Sequence, residues 1–333
     1  MSDLSYNVNG IKNLEFIMSW LGWQIDYLLF LQNFRDVSHH IFDNFFLTIT
    51  LFGQIFVPLT IICLIYWCIN KKIGFYIVST YLYGFLVNIF LKTTACIYRP
   101  WLLDSRVKPL TQAIAGATGY SFPSGHTSEV VTAFGSIAKS FWDNKILRYL
   151  CFAIIFLVML SRNYLGVHTP QDVIVSFFVG IGLIFANEKI LKWVDNGKNR
   201  DFILISVVTI ACVLLTLYVT YKYYPIHYLN GKVLYNPYFI KTDIYTKVGF
   251  ILGALYGWCI EKRFVNFSAE IGSILHKVVR FVVGITVFYV LFNLANNVLV
   301  LYLGKKLGYL IGYFVVGLFM TLIYPFCIKL TQK

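Results

Sequence analysis

Charge is what this chain has least of. Only 13% of its 333 residues are Asp, Glu, Lys or Arg, whereas 58% are hydrophobic and the mean hydropathy is +0.70. A soluble domain carries about 25% charged residues. The shortage excludes an ordinary soluble domain and points to an integral membrane protein. Acidic residues are the scarcer sign, 15 against 28 basic, for a net charge of +13. That excess forms no long basic stripe, so nucleic acid is not an expected partner. The cations fall mostly in short breaks between apolar runs, where membrane proteins place flanking charge. A disulfide framework and zinc spacing are also missing. The seven cysteines are odd in number, and six lie inside apolar runs, where they read as small buried hydrophobes. No basic segment followed by a short apolar stretch and a small-residue cleavage site opens the chain, so no cleaved signal is expected. Internal repeats and low-complexity tracts are absent as well.

Long apolar runs are abundant. They cover about 45–69, 73–94, 124–141, 146–165, 170–191, 202–221, 244–260, 275–300 and 307–328, each long enough to cross a bilayer with modest adjustment. The expected fold is therefore all-α, a polytopic transmembrane helix bundle of about nine spans. Residues 13–34 are apolar but broken by Glu15, Gln24 and Asp26. Within an N-terminal segment 1–44 they predict an interfacial amphipathic helix with tryptophan anchors, a tenth span being the alternative. Basic residues set the orientation. If the Lys71–Lys72 turn is cytoplasmic, that side holds 15 of the 28, and the other side 13, or 10 without Lys92, Arg99 and Arg162. The polar loop 95–122 then faces away from the cytoplasm.

Three polar clusters sit at the ends of these runs, on one face under that topology. They are "KTTACIYRP", with Lys92 and Arg99; "PSGH" at 123–126; and "SRNYLGVHTPQD", with Arg162, His168 and Asp172. An ionisable group near a membrane span is costly and is a functional hypothesis by default. Three cations without nearby acidic neutralisation suit phosphate oxygens, which the arginine fork can meet in bidentate fashion. Ser124 is a good N-cap, Gly125 allows close backbone approach, and a helix start favours an anion. Of two histidines flanking such a pocket, one can attack phosphorus and the other protonate the departing oxygen. Asp172, four residues after His168, can orient that ring. Each residue also has a plainer reading. Asp172 with Thr169 forms a capping box, Lys92 is a snorkelling flank, and Arg162 is a packing partner of Asp172. One phosphate site explains all of them together.

Lys92-x6-Arg99-Pro100, Pro123-Ser124-Gly125-His126 and Ser161-Arg162-x5-His168-x3-Asp172 resemble the three-part signature of the type 2 phosphatidic acid phosphatase and vanadium haloperoxidase superfamily. Eleven residues match in order, within about 45–190. The resemblance implies a six-span catalytic phosphatase core over 45–191 and a C-terminal transmembrane extension over 192–333. It implies His168 as nucleophile forming a phosphohistidine, Asp172 as its orienting carboxylate, and His126 as acid for the leaving alkoxide. Lys92, Arg99, Arg162 and the backbone at Ser124 and Gly125 are implied to bind phosphate.

No metal and no cofactor are expected, because fixed cations do the electrostatic work and no metal-ligand spacing is present. The expected substrate is a lipid phosphate: phosphatidic acid, phosphatidylglycerol phosphate or polyprenyl diphosphate. Membrane lipids are the other expected partners, and no obligate protein partner is indicated. Arg106 and Lys108 are candidates for a second phosphate. A soluble sugar phosphate, favoured by a span count like that of the glucose-6-phosphatase branch, stays open, as does a lipid binder or transporter with a relic site. Haloperoxidase chemistry with vanadate is disfavoured by the spans. Transfer of the phosphate to another lipid is open too. The expected location is a bacterial cytoplasmic membrane, with the site on the non-cytoplasmic face.

Overall fold

A computed structural model describes residues 8–117, 119–225, 228–229, 232–233 and 236–332, with side chains described from Gly22 onward except within 226–235. The first seven residues, on which the expectation of an uncleaved start rests in part, and Lys333 lie outside the described residues. The chain is a helix bundle. Among the described residues the one sheet is a pair of two-residue strands, β1 (Tyr228–Leu229) and β2 (Lys232–Val233), paired antiparallel.

Helix α1 (Val8–Val37) is continuous through the segment expected to be interfacial. Ile25 and Leu28 are buried in a small cluster with Val107 of the 95–122 loop. Next, α2 (Asp43–Ile49) runs into a tight turn at Thr50–Gly53 and then α3 (Phe56–Leu64), with a 52° bend between the two halves. Gln54, in extended conformation, makes that bend. Gly53 is needed there: a Cβ would lie 2.9 Å from both Cβ and the carbonyl oxygen of His126. Helix α4 (Lys71–Ala95) follows, capped by the Asn70 side chain, which accepts from the N–H groups of Lys72 and Ile73. Short helices α5 (Pro100–Leu103) and α6 (Thr111–Ile114) lie in the polar loop. Then come α7 (Gly125–Val130), joined through a widened turn to α8 (Ser136–Ser140), and the long helices α9 (Lys145–Tyr164), α10 (Pro170–Asp195) and α11 (Arg200–Tyr221).

The C-terminal part consists of α12 (Tyr238–Ile260), α13 (Ile274–Leu318) and α14 (Tyr324–Leu330). α13 is not one rod. Gly304, at φ 75° and ψ 164°, breaks it into two arms that fold back on each other. The Tyr313 hydroxyl donates to Asn296 Oδ1 across the arms at 2.8 Å, and Gly312 lies against Ala295. A Cβ on Gly253 of α12 would sit 2.0 Å from the Phe314 carbonyl oxygen, so glycine lets these backbones touch, as small residues do between membrane helices. The C-terminal part is packed into the rest. Trp67 Nε1–H donates to the Met320 carbonyl at 2.9 Å, and Trp67, Phe250 and Phe288 share one buried core.

All nine expected intervals fall largely on helix, but fewer of those helices are long and apolar enough to cross a membrane. Among the described residues five helices are long and apolar enough, and the bent α2–α3 pair makes a sixth if counted as one. Three reasons account for the difference from nine. The segment 125–140 is split by its widened turn into short α pieces. α12 carries Lys241, Asp243 and Lys247 in its first turns. The two arms of α13 count as one helix. Phe156 on α9 and Phe178 on α10 are each 65% exposed, as expected of faces meant for lipid. Five of the seven cysteines are buried and all are free, with Cys327 exposed.

Candidate active site

Loops and helix ends far apart in sequence meet at one end of the bundle. Lys92 lies in the last turn of α4, Arg99 just before α5, Ser124 to His126 at the start of α7, Arg162 in the last turn of α9, and Asp172 in the first turn of α10. A cavity of about 410 Å³ is lined by Lys92, Arg99, Gly125, His126 and His168. Ser124, Arg162 and Asp172 stand behind that lining.

His168 is 1% exposed and is held at both ring nitrogens. Its Nδ1 is 3.1 Å from Asp172 Oδ2, and its Nε2 is 2.9 Å from Arg99 Nη1. A guanidinium can only donate, so Nε2 carries the lone pair and the proton sits on Nδ1, facing the carboxylate. Burial is the main cause that holds this ring well below the usual histidine range, with Arg99, Arg162 and Lys92 adding to it. The imidazole is therefore neutral at neutral pH. Asp172 Oδ2 also accepts from the Thr169 N–H at 2.9 Å and from the Ser121 hydroxyl at 2.6 Å. The capping role and the orienting role thus belong to a single carboxylate oxygen.

Each cation is fixed by backbone or a buried hydroxyl. Lys92 Nζ donates to the carbonyls of Tyr120 at 2.8 Å and Pro123 at 3.0 Å. Arg99 donates from Nε to the Gly119 carbonyl at 3.0 Å and from Nη1 to the Val167 carbonyl at 2.9 Å. Arg162, 1% exposed, donates from Nη1 to Thr50 Oγ1 at 2.6 Å, while its Nε and Nη2 are buried with no partner among the described residues. Arg162 forms no ion pair with Asp172 among those residues, so the packing-partner reading finds no support. A buried charge without a counter-charge is costly, and a guanidinium with open donors suits an anion.

At the start of α7 the Ser124 hydroxyl accepts from the Thr127 N–H at 3.3 Å, and the Ser124 N–H donates to the Asp172 carbonyl at 3.0 Å. The Ser124 hydroxyl caps α7 and its N–H ties the start of α7 to α10, so that N–H is already engaged and does not meet the expectation that it binds phosphate, while Gly125 and His126 reach the cavity. A Cβ on Gly125 would find nothing nearer than Asn88 Oδ1 at 4.0 Å. The protein itself leaves room there. His126 Nε2 is buried without a partner among the described residues. Among those residues no three His, Cys, Asp or Glu side chains group as a metal-ligand set.

The family model described as PAP2 superfamily matches residues 72–195, which hold every residue of the three-part motif. A second, described as PAP2 superfamily phosphatase, transmembrane extension, matches 245–332. The chain belongs to the PAP2 superfamily. A curated relative, the undecaprenyl-diphosphatase of Sulfolobus acidocaldarius, is 28% identical over 136 residues, 41% of this chain and 63% of that protein's length. No solved structure matches.

Several residues of the PAP2 site carried no motif. Ser121, whose hydroxyl braces Asp172, lies inside the stretch "YSFPSGH" but at no diagnostic spacing. Thr50, which holds Arg162, is one buried hydroxyl in the run "LTITLFG". Glu129, Asp243 and Lys247 also line the cavity. Their signal was ionisable side chains within helical apolar runs. Arg106 is 65% exposed and paired with Asp104 at 2.7 Å, and neither it nor Lys108 lines the cavity. The expectation that they meet a second phosphate is not supported.

Proposed function

We propose that this PAP2 protein is an integral membrane phosphatase that hydrolyses a lipid phosphate through a phosphohistidine on His168. The candidates are phosphatidic acid, phosphatidylglycerol phosphate and polyprenyl diphosphate. One observation carries the reading: His168, gripped at Nδ1 by Asp172 and at Nε2 by Arg99, lines a cationic cavity together with His126, whose Nε2 has no partner among the described residues.

In the first step the phosphate takes over the Arg99 Nη1 donor from His168, the freed Nε2 lone pair attacks phosphorus, and the bond to the alcohol oxygen breaks. His126 delivers a proton to that oxygen. Asp172 stabilises the charge that develops on the His168 ring, and Lys92, Arg99 and Arg162 with the backbone at Gly125 stabilise the equatorial oxygens. In the second step His126 takes a proton from water, the water oxygen attacks phosphorus, and Nε2 leaves. Fixed cations supply the electrostatic stabilisation, so the step is proposed to run without a metal. The division into a catalytic core over 45–191 and an extension over 192–333 is part of the same proposal.

The site is proposed to face away from the cytoplasm of a bacterial-type membrane. α4 has 25 residues from Lys71 to Ala95, about 37 Å at 1.5 Å per residue, which puts Lys92 at the far end from the basic turn Lys71–Lys72. The test is phosphate release from a panel of lipid phosphates in detergent, beside His168→Ala. Turnover by the native chain, reduced about 10⁴-fold or more in the variant, is the expected result. Equal release by both proteins would overturn the reading.

A further inference from the structure

The segment that ends α11 reaches back to the end of α4. Lys222 closes α11, and its Nζ donates to the carbonyls of Thr93 and Thr94, the second at 3.0 Å, with Cys96 Sγ at 3.5 Å. Farther along, the Pro225 carbonyl accepts from the Tyr98 hydroxyl at 3.2 Å. Between them Tyr224 is buried, its ring nearly parallel to that of Tyr120 with centroids 6.4 Å apart. Residues 222–225, within the 192–333 extension, thus form a clasp on the core at 93–98 and at 120.

Each contact adjoins a cation of the site. Thr93 directly follows Lys92, whose Nζ donates to the Tyr120 carbonyl at 2.8 Å. Tyr98 directly precedes Arg99. Between the two cations Cys96, at φ 49°, turns the chain out of α4, and the Ile97 carbonyl accepts from the Ser121 N–H at 2.7 Å. The last four carbonyls of a helix lack partners within it, and a cation there satisfies them and complements the negative end of the dipole. Lys92 does not supply that cap, because its ammonium is turned to Tyr120 and Pro123. Lys222 supplies it from another helix. Among the described residues Lys222 pairs with no carboxylate, so its charge serves this helix end. Without it the turn that carries Lys92 is free to fray, and the path to Arg99 shifts with it.

We infer that residues 222–225, outside the three-part motif, position Lys92 and Arg99 on the phosphate, with Lys222 as the main positioning residue, so that the extension completes the catalytic site. The inference rests on the phosphatase reading above and gives the extension a part in it.

The full-length protein in detergent is titrated by calorimetry with orthovanadate, which resembles the pentacoordinate transition state, and with inorganic phosphate, which does not. Neither titration needs turnover, and kcat and KM on a lipid phosphate are measured beside them. Lys222→Met should weaken vanadate binding about 10–100-fold, the loss expected of a misplacement of about 1 Å, and lower kcat by a similar factor. Phosphate affinity and KM should change less than about threefold. Lys222→Arg keeps the charge and the donors to the carbonyls, and should restore vanadate binding and kcat to within about threefold of the native chain. Should Lys222→Met not fold, Tyr98→Phe removes the hydroxyl that meets Pro225 and should weaken vanadate binding about threefold or more; unchanged binding there overturns the clasp. Native vanadate affinity in Lys222→Met, an equal loss on vanadate and phosphate, or a loss that Lys222→Arg does not restore each overturns the positioning role. The phosphatase reading survives those results, since turnover beside His168→Ala decides it. Failure of the native chain to bind vanadate overturns both.

Discussion

The two halves of the cavity are held in different ways. In the half built by the PAP2 core, backbone groups aim the polar side chains. Carbonyls of Tyr120 and Pro123 hold Lys92, those of Gly119 and Val167 hold Arg99, and the Thr169 N–H holds Asp172. The His168 and Asp172 side chains are each 2% exposed. In the half built by the extension, side chains hold one another, with Lys247 at 22% and Asp243 at 49% exposure. Rigid, dry donors suit charge that develops in a transition state, where misplacement is costly. Adaptable, half-solvated groups suit recognition of a part of the substrate that does not react. Substitutions in the first half should therefore lower kcat on every substrate alike, and those in the second should change KM and discrimination.

The sharpest way to break that contrast is Asp172→Asn. It keeps the shape but weakens the hold on the His168 tautomer, and kcat should fall about 10²–10⁴-fold on all substrates equally. A substrate-dependent loss, read from steady-state kinetics on two lipids, would erase the distinction between the halves. Gly53→Ala comes next. The new methyl would press on His126 at 2.9 Å, with an expected cost of about 1–3 kcal/mol in stability and about 10–100-fold in kcat. Thermal unfolding and kcat measured together check this, and an unchanged kcat would mean that the bend does not position His126. The smallest effect concerns pH. In the proposed mechanism the neutral His168 ring attacks, and burial among cations keeps it neutral below the ordinary histidine value of 6.5. Activity should persist as pH falls through 6.5 and be lost only further down. An acid limb of kcat/KM at or above 6.5 would contradict that electrostatic reading.

The core half was legible because helix ends carry their own punctuation. Ser124, Pro170 and Asp172 mark starts whose spacing to His126 and His168 is local, so one-dimensional distance is a fair guide to geometry. Asp172 read either as a cap or as an orienting group, since the sequence does not say that one oxygen meets both Thr169 and His168. The extension half was not legible. Lys247 reaches the cavity only because α12 packs on the glycine-bearing arms of α13, and no local spacing encodes that approach. The bundle was visible in its apolar runs, and the break near residue 304 appeared as the gap between 300 and 307. The bend after Gly53 did not show, because the run 45–69 stays apolar straight through it.

The most direct measurement is to quench the enzyme during turnover of a radiolabelled lipid phosphate and map the protein-bound phosphate by mass spectrometry. The expected result is an acid-labile, base-stable phosphate on His168, lost in His168→Gln and accumulating in His126→Gln when leaving-group protonation is bypassed with an activated ester. Label that survives His168→Gln and disappears in His126→Gln would reverse the two histidines and contradict the mechanism.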